Sequence, residues 1–230
     1  MKKKPVRIAL LGIDGSGKST HLNRMKSDSV FADFDFIWLR YSPKLLKPLY
    51  SLLKKKEKKN GVSGDLKKEY KGRTDKKKKI FKNPFIRFLW RNLTLIDYFF
   101  QVRIRTFKTR LKKKNVIFDR YYPDLFIDLG ANFGYPPEKT VKYIKRKRKL
   151  FPKADGYVYI RALPETCIAR KDDIPSLKYL EDRFAVYEIL KSDENFYTVD
   201  GEKTADEVYE NVVSVIREKF LCGETASDDK

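Results

Sequence analysis

The chain has 230 residues, 41% of them hydrophobic and 36% charged, with a formal charge of +21. That length and apolar content exclude a mainly disordered chain and suit one folded domain with an insertion. The only cysteines, Cys167 and Cys222, exclude a disulfide framework or a zinc pattern and point to a reducing, cytoplasmic compartment.

The first expected element is a buried strand, "VRIALLG" (Val6–Gly12). It follows a basic start, but it lacks a small-residue cleavage site and runs straight into a glycine loop, so it reads as a strand and not a signal peptide. A helix is expected from Lys18 to about Lys26, and "DFDFIWLR" (Asp33–Arg40) alternates as a second strand. Leu45, Leu46, Leu49, Leu52 and Leu53 recur at helical spacing, interrupted by Pro48. From Lys54 to Lys82 the chain is polar, lysine-laden and glycine-punctuated, which marks a basic insertion over residues 42–82.

A long helix is expected from about Pro84 to Lys113, with Phe85, Phe88, Leu89, Leu93, Ile96, Phe99, Phe100 and Ile104 as its core face. "NVIFDRYY" (Asn115–Tyr122) is a third strand, followed by helical stretches at 123–129 and 137–150. "ADGYVYIRA" (Ala154–Ala162) is a fourth strand, and Pro164 and Glu165 open the next helix. A helix at 176–191, a strand "NFYTVDG" and a helix from Ala205 to Phe220 complete the pattern, with residues 223–230 as a polar tail. Strands alternating with helices predict an α/β fold: a five-stranded parallel sheet with helices on both faces, in one domain over residues 1–222. No apolar run is long enough to span a bilayer.

The charge admits three readings: contact with nucleic acid or an anionic surface, a basic cleft for an anionic substrate, or a lysine-rich solvated surface. Composition leans to the last, since Gln101 is the only glutamine in the chain.

Chemistry concentrates in "GIDGSGKST". Gly12 and Gly17 bracket Ile13, Asp14, Gly15 and Ser16, and Lys18, Ser19 and Thr20 follow, giving the spacing G-x-x-x-x-G-K-S between a strand and a helix. Glycines at such spacing let backbone amides approach an anion, and the helix amino end adds its positive dipole. Lys18 is expected to reach the β- and γ-phosphates of a nucleoside triphosphate, Ser19 to ligate Mg²⁺, and Thr20 to cap or contact the α-phosphate. The acid strand ends "VIFDRYYPD": Asp119 is a second metal ligand, and Arg120 a fixed cation for an accepting phosphate. A water-activating glutamate beside Asp119 is missing, which favours transfer to a bound acceptor over hydrolysis.

"GIDGSGKSTH", "VIFDRYYPD", "PETCIARKDD" and "FYTVDGEKTADEV", in that order, resemble the thymidylate kinase family of P-loop nucleoside monophosphate kinases. The resemblance implies a three-layer P-loop kinase sandwich with a short lid at 164–178. It also implies ATP- and Mg²⁺-dependent phosphoryl transfer to a nucleoside monophosphate, with dTMP as the expected acceptor. Asp14 would then reach the acceptor sugar, Arg120 its phosphate, and Tyr121 would border its site. Arg170, with Lys171 as an alternative, would neutralise the phosphoryl group in transit. A homodimer, through the helix at 84–113, is also implied.

The acceptor half departs from the family. "IWLRYSPK" keeps an arginine, Arg40, but not the usual glutamate and glycine. Arg103, Phe99 and Asp97 stand as candidates where the family has an arginine and an aromatic, and Asp124 and Asp128 are new carboxylates. Two other functions therefore remain open: a kinase of another small acceptor, with an aspartate as base towards a hydroxyl, or a P-loop protein binding nucleic acid or a membrane through Lys54–Lys79.

Overall fold

The computed structural model describes residues 4–44 and 81–221. The helical spacing at 45–53, most of the basic insertion, Cys222 and the tail at 223–230 lie outside the described residues. Five strands are present among them: β1 (Arg7–Leu11), β2 (Phe34–Trp38), β3 (Asn115–Asp119), β4 (Gly156–Arg161) and β5 (Phe196–Asp200). The α-helices are α1 (Lys18–Ser27), α2 (Pro84–Leu111), α3 (Tyr122–Phe133), α4 (Pro137–Lys147), α5 (Pro164–Arg170), α6 (Leu177–Leu190) and α7 (Ala205–Ile216). The strands are shorter than the sequence suggests. The third stops at Asp119 because Tyr122 already begins α3, with Pro123 and Asp124 in its first turn.

All strand pairs are parallel, in the order β2-β3-β1-β4-β5. Period-two alternation divides each strand between two cores. Ile8 and Leu10 of β1, Ile117 of β3, and Val158 and Ile160 of β4 pack with Leu22 and Met25 of α1 and with Val208 and Val212 of α7. Ala9, Leu11, Val116, Phe118 and Tyr159 face the other way, onto α2, α3, α4 and α6. The sheet is therefore covered by helices on both faces. β1 lies between β3 and β4, so chains leaving β1 and β3 travel to opposite sides of the sheet. A parallel sheet opens a crevice at such a switch point, beyond the carboxyl ends of the strands. Loop 12–17 and Arg120 both stand there.

The long helix contradicts its expected orientation. Phe85, Phe88, Leu89, Ile96, Phe100 and Ile104, read as a core face, are exposed, as are Phe107 and Leu111. The buried face instead carries Thr94, Asp97, Gln101, Thr106 and Thr109 beside Leu95, Tyr98 and Val102. The reason is hydrogen bonding. The chain leaving β2 has backbone groups that no strand satisfies, and α2 supplies their partners. The Tyr98 hydroxyl donates to the Leu39 carbonyl (2.8 Å), Gln101 Nε2 to that of Ser42 (2.8 Å) and Arg105 Nη1 to that of Trp38 (2.6 Å). Asp97 accepts from the Lys44 amide (2.9 Å) and the Tyr41 hydroxyl (3.2 Å). Asp97 is thus an anchor for residues 41–44.

Among the described residues, no helix is long and apolar enough to cross a membrane.

α3 and α4 meet closely at Gly130, where an added Cβ would lie 2.3 Å from Thr140 Oγ1. Gly130→Ala is expected to lower the urea midpoint, because an overpacking cost of about 1–3 kcal/mol exceeds the helix-propensity gain of about 1 kcal/mol. The double variant Gly130→Ala/Thr140→Ala should recover most of the loss, as a double-mutant cycle by urea denaturation would show.

Candidate functional site

The loop from Gly12 to Gly17 is shaped by its surroundings as well as by φ. Gly15 has φ 89°, and a Cβ there would come within 2.6 Å of the Cys167 carbonyl oxygen on α5. Any other residue is both strained and blocked. Gly17, the N-cap of α1, offers no side-chain cap. The first-turn amides of Lys18, Ser19 and Thr20 therefore have neither an intrahelical carbonyl nor a capping oxygen, the arrangement that receives an anion. Ser19 and Thr20 are exposed.

Lys18 is buried, and its ammonium donates to the Ile13 carbonyl (2.6 Å) and to Ser16 Oγ (3.0 Å). Burial, then the nearby Arg120, lowers its pKa to about 8, although Asp14, Asp124 and Asp119 pull the other way. Asp119, at the end of β3, has its pKa raised by burial, against the opposing pull of Arg120 and Lys18. Ser19 and Asp119 remain the residues suited to hold a divalent cation. No group of three or more metal-ligating side chains occurs among the described residues, so such a cation would share its coordination with phosphate oxygens and water, as Mg²⁺ commonly does.

Arg120 is the centre of the charge network. It has φ 65°, a left-handed conformation unusual for a non-glycine residue. Its amide donates to the Leu10 carbonyl (3.2 Å), which holds the turn against β1. Its guanidinium is ion-paired with Asp14 Oδ1 and bonds Asp124 Oδ1 at 3.1 Å. Burial alone would lower its pKa, but Asp124 and Asp14 raise it further above the ordinary arginine range. Burial would likewise raise Asp14, yet Arg120, Lys18 and Arg40 outweigh it and hold this carboxyl well below the usual range. Asp124 also accepts from the Tyr187 hydroxyl (2.8 Å) and the Tyr121 amide (3.2 Å).

A cavity of about 420 Å³ opens beside Asp14. Arg40 lines it, 3.8 Å from Asp14 Oδ2. Trp90 and Thr94 come from α2, Leu125, Asp128 and Leu129 from α3, and Tyr179 and Arg183 from α6. Thr94 is buried, and its hydroxyl has no hydrogen-bond partner among the described residues.

The expected site residues divide accordingly. Gly12, Ile13, Asp14, Gly15, Ser16, Gly17 and Lys18 form one loop and helix start, and Asp14 joins them to Arg120 and Arg40. Tyr121 does not border the cavity. It is fully buried, with its hydroxyl on the Pro152 carbonyl (2.5 Å). Arg103 does not line it either, but lies exposed on α2 over the Phe99 ring (4.9 Å). Arg170 donates to the Gly201 carbonyl (3.0 Å), whereas Lys171 lines the cavity.

Sequence reasoning missed Tyr179 and Arg183. The Tyr179 hydroxyl donates to Asp14 Oδ2 (2.8 Å). Arg183 stacks over the Tyr179 ring (3.5 Å) and bonds Asp128 Oδ1 at 2.6 and 3.0 Å. The signal was present: Tyr179, Arg183 and Tyr187 are spaced by four on one helix, and Asp124 and Asp128 by four on another.

No protein-family model matches this chain, and no curated protein matches it significantly.

Asp124→Asn should destabilise the fold by about 3 kcal/mol, because it leaves part of the buried Arg120 charge uncompensated. Chemical denaturation at neutral pH would measure this. A loss under about 0.5 kcal/mol, the ordinary surface range, would mean that Asp14 alone suffices for Arg120.

Proposed function

We propose that the chain is an ATP- and Mg²⁺-dependent kinase of the thymidylate kinase type, transferring a phosphoryl group to a nucleoside monophosphate, with dTMP as the expected acceptor. One observation carries this reading: Asp14 belongs at once to an anion-receptive glycine loop and to the wall of a separate cavity. A phosphate donor and an acceptor can thus meet across a single side chain. The motif order and the strand order with its switch point support the same fold family.

In this reading Lys18 exchanges its bonds to Ile13 and Ser16 for phosphate oxygens, and the amides of Lys18 to Thr20 receive the rest of the phosphate tail. Ser19 and Asp119 would hold Mg²⁺, which supplies positive charge to the phosphates when bound. Arg120 holds the acceptor phosphate in line, giving up part of its bond to Asp14, which turns to the acceptor sugar. Trp90 offers a flat surface and Thr94 an unsatisfied hydroxyl for the acceptor base. Lys171 faces the acceptor and Arg170 lies towards β5, so the two share the lid role. No general base is required, because a nucleotide phosphate is already an anionic nucleophile.

The deciding experiment is ADP release with ATP and Mg²⁺ against dTMP, dUMP, UMP, CMP, AMP and GMP. Release above background with a pyrimidine monophosphate is expected. Lys18→Ala should reduce turnover by roughly 10²-fold or more, and Arg120→Ala should raise the acceptor KM far more than that of ATP. Turnover only with a hydroxyl-bearing acceptor would replace the nucleotide by that molecule.

We also propose that two copies pair through α2. Phe85, Leu89, Leu93, Ile96, Phe100, Ile104, Phe107 and Leu111 follow steps of four, four and three, a period of about 3.67 residues, near enough to the helix's 3.6 to hold the stripe on one face with a slow right-handed drift. Such a stripe reaches the scale of about 800 Å² per partner in a standard interface. Sedimentation should give a dimer for the native chain and a monomer for Phe100→Glu/Ile104→Glu. A native monomer would refute the pairing.

A further inference from the structure

At the amino edge of the sheet, opposite Asp14, a groove of about 960 Å³ is lined by Lys4, Arg7, Arg110, Lys112, Lys113 and Lys114. These cations come from segments more than a hundred residues apart: the chain up to the start of β1, and the end of α2 with the turn into β3. The strands' five-residue length puts this edge roughly 16 Å from the site at the carboxyl ends. One carboxylate, Asp33, lines the groove, and Lys114 reaches Asp35 at 3.4 Å. Among the described residues, Lys4, Arg7, Arg110, Lys112 and Lys113 make no ion pair.

Local structure explains only part of this crowding. Cations in the last turn of α2 favour its dipole, which covers Arg110 and its neighbours but not Lys4 or Arg7. Lys113 has φ 50°, at the position after a helix where glycine is the usual occupant. A lysine there costs about 1 kcal/mol of backbone strain. Burial, and then Arg103 and Arg7, lower the pKa of Arg110, the mark of like charges packed together. The basic row continues along the same edge. Below β4 and β5, a second groove of about 730 Å³ is lined by Lys145, Arg148, Lys149 and Lys153 and by the carboxylates of Asp193 and Glu194, with the rings of Tyr122 and Tyr157 in its wall. Lys145 is paired with Asp193 at 2.5 Å, which leaves Arg148, Lys149 and Lys153 as its unpaired cations among the described residues. Hydrogen bonds hold the start of β1 beside the start of β4, so the two grooves are neighbours: the Arg7 amide donates to Asp155 Oδ2 (2.8 Å), and the Asp155 amide to the Arg7 carbonyl (2.7 Å).

We infer that the amino edge of the sheet binds the phosphodiester backbone of nucleic acid, without sequence preference, in the cationic groove at β1 and β3 and along the neighbouring cations Arg148, Lys149 and Lys153. Five strands at about 4.8 Å spacing make an edge of about 19 Å, which spans roughly five phosphates of one strand. The concavity suits a rod-like polyanion. A bilayer is flat and calls for a broad apolar face at its surface, whereas among the described residues that line the two grooves Leu111 is the one large exposed apolar side chain.

The test is fluorescence anisotropy of a labelled oligonucleotide, single- and double-stranded, titrated with the full chain across a salt series. The native chain should bind with affinity that falls steeply with salt. Lys112→Glu/Lys113→Glu/Lys114→Glu should reduce the log–log salt slope by about three, and Lys139→Glu/Lys178→Glu/Lys203→Glu, the same charge change at exposed lysines that line neither groove, should leave it close to native. Should the first variant fold poorly by circular dichroism, Lys4→Glu/Lys112→Glu takes its place, with a slope loss of about two. Equal losses at both places would reduce the effect to net charge and overturn the inference. So would an unchanged slope in the edge variant, or tighter binding to phosphatidylglycerol vesicles that the edge variant abolishes. ADP release by the edge variant should match the native chain, so failure of the kinase reading and failure of this one are told apart.

Discussion

A guanidinium that is almost out of water governs the arrangement of the site. Only 14% of the Arg120 side chain is exposed, and a buried cation is tolerated only when it is paired and hydrogen-bonded. Its partners come from two places: Asp14 from the loop after the central strand, Asp124 from the first turn of α3. Each partner is itself held from α6, by Tyr179 and by Tyr187. Two loops, two helices and two strand ends are thereby fixed to one charge. The left-handed backbone at Arg120 belongs to the same constraint, since strain of this kind persists only where surrounding contacts over-determine it.

The fold was legible because strand and loop signals are local. "VRIALLG", "NVIFDRYY" and "ADGYVYIRA" are apolar runs bounded by glycine or charge, and each holds a strand whose ends lie at most three residues inside the expected ones. The glycine loop was legible for a similar reason, since three short-range requirements coincide in six residues. Strand ends were less clear: Tyr121 and Tyr122 favour strands by propensity, and Pro123 and Asp124 override that by starting a helix.

The wall of the cavity beside Asp14 was less legible, because its partners are distant in sequence. Tyr179 and Asp14 lie 165 residues apart, and nothing in either neighbourhood announces the other. The long helix shows a different failure. Its hydrophobic period was correct, but periodicity says only that a helix has two faces, not which one meets the protein. Residues 38–44 needed hydrogen-bond partners, and that need turned the polar face inward. The inward-facing Thr94 and Asp97 belong to the same arrangement.

The contact between Gly15 and Cys167 makes the thiol a built-in clock. Cys167 has no exposed surface, and burial lifts its pKa to about 11, so at neutral pH it is a protonated, sheltered group. An alkylating reagent reaches a thiol with no exposed surface only through a local opening, and Gly15, packed against Cys167, is part of its cover. The rate of that reaction would count such openings, and any molecule that steadies the loop would slow the count.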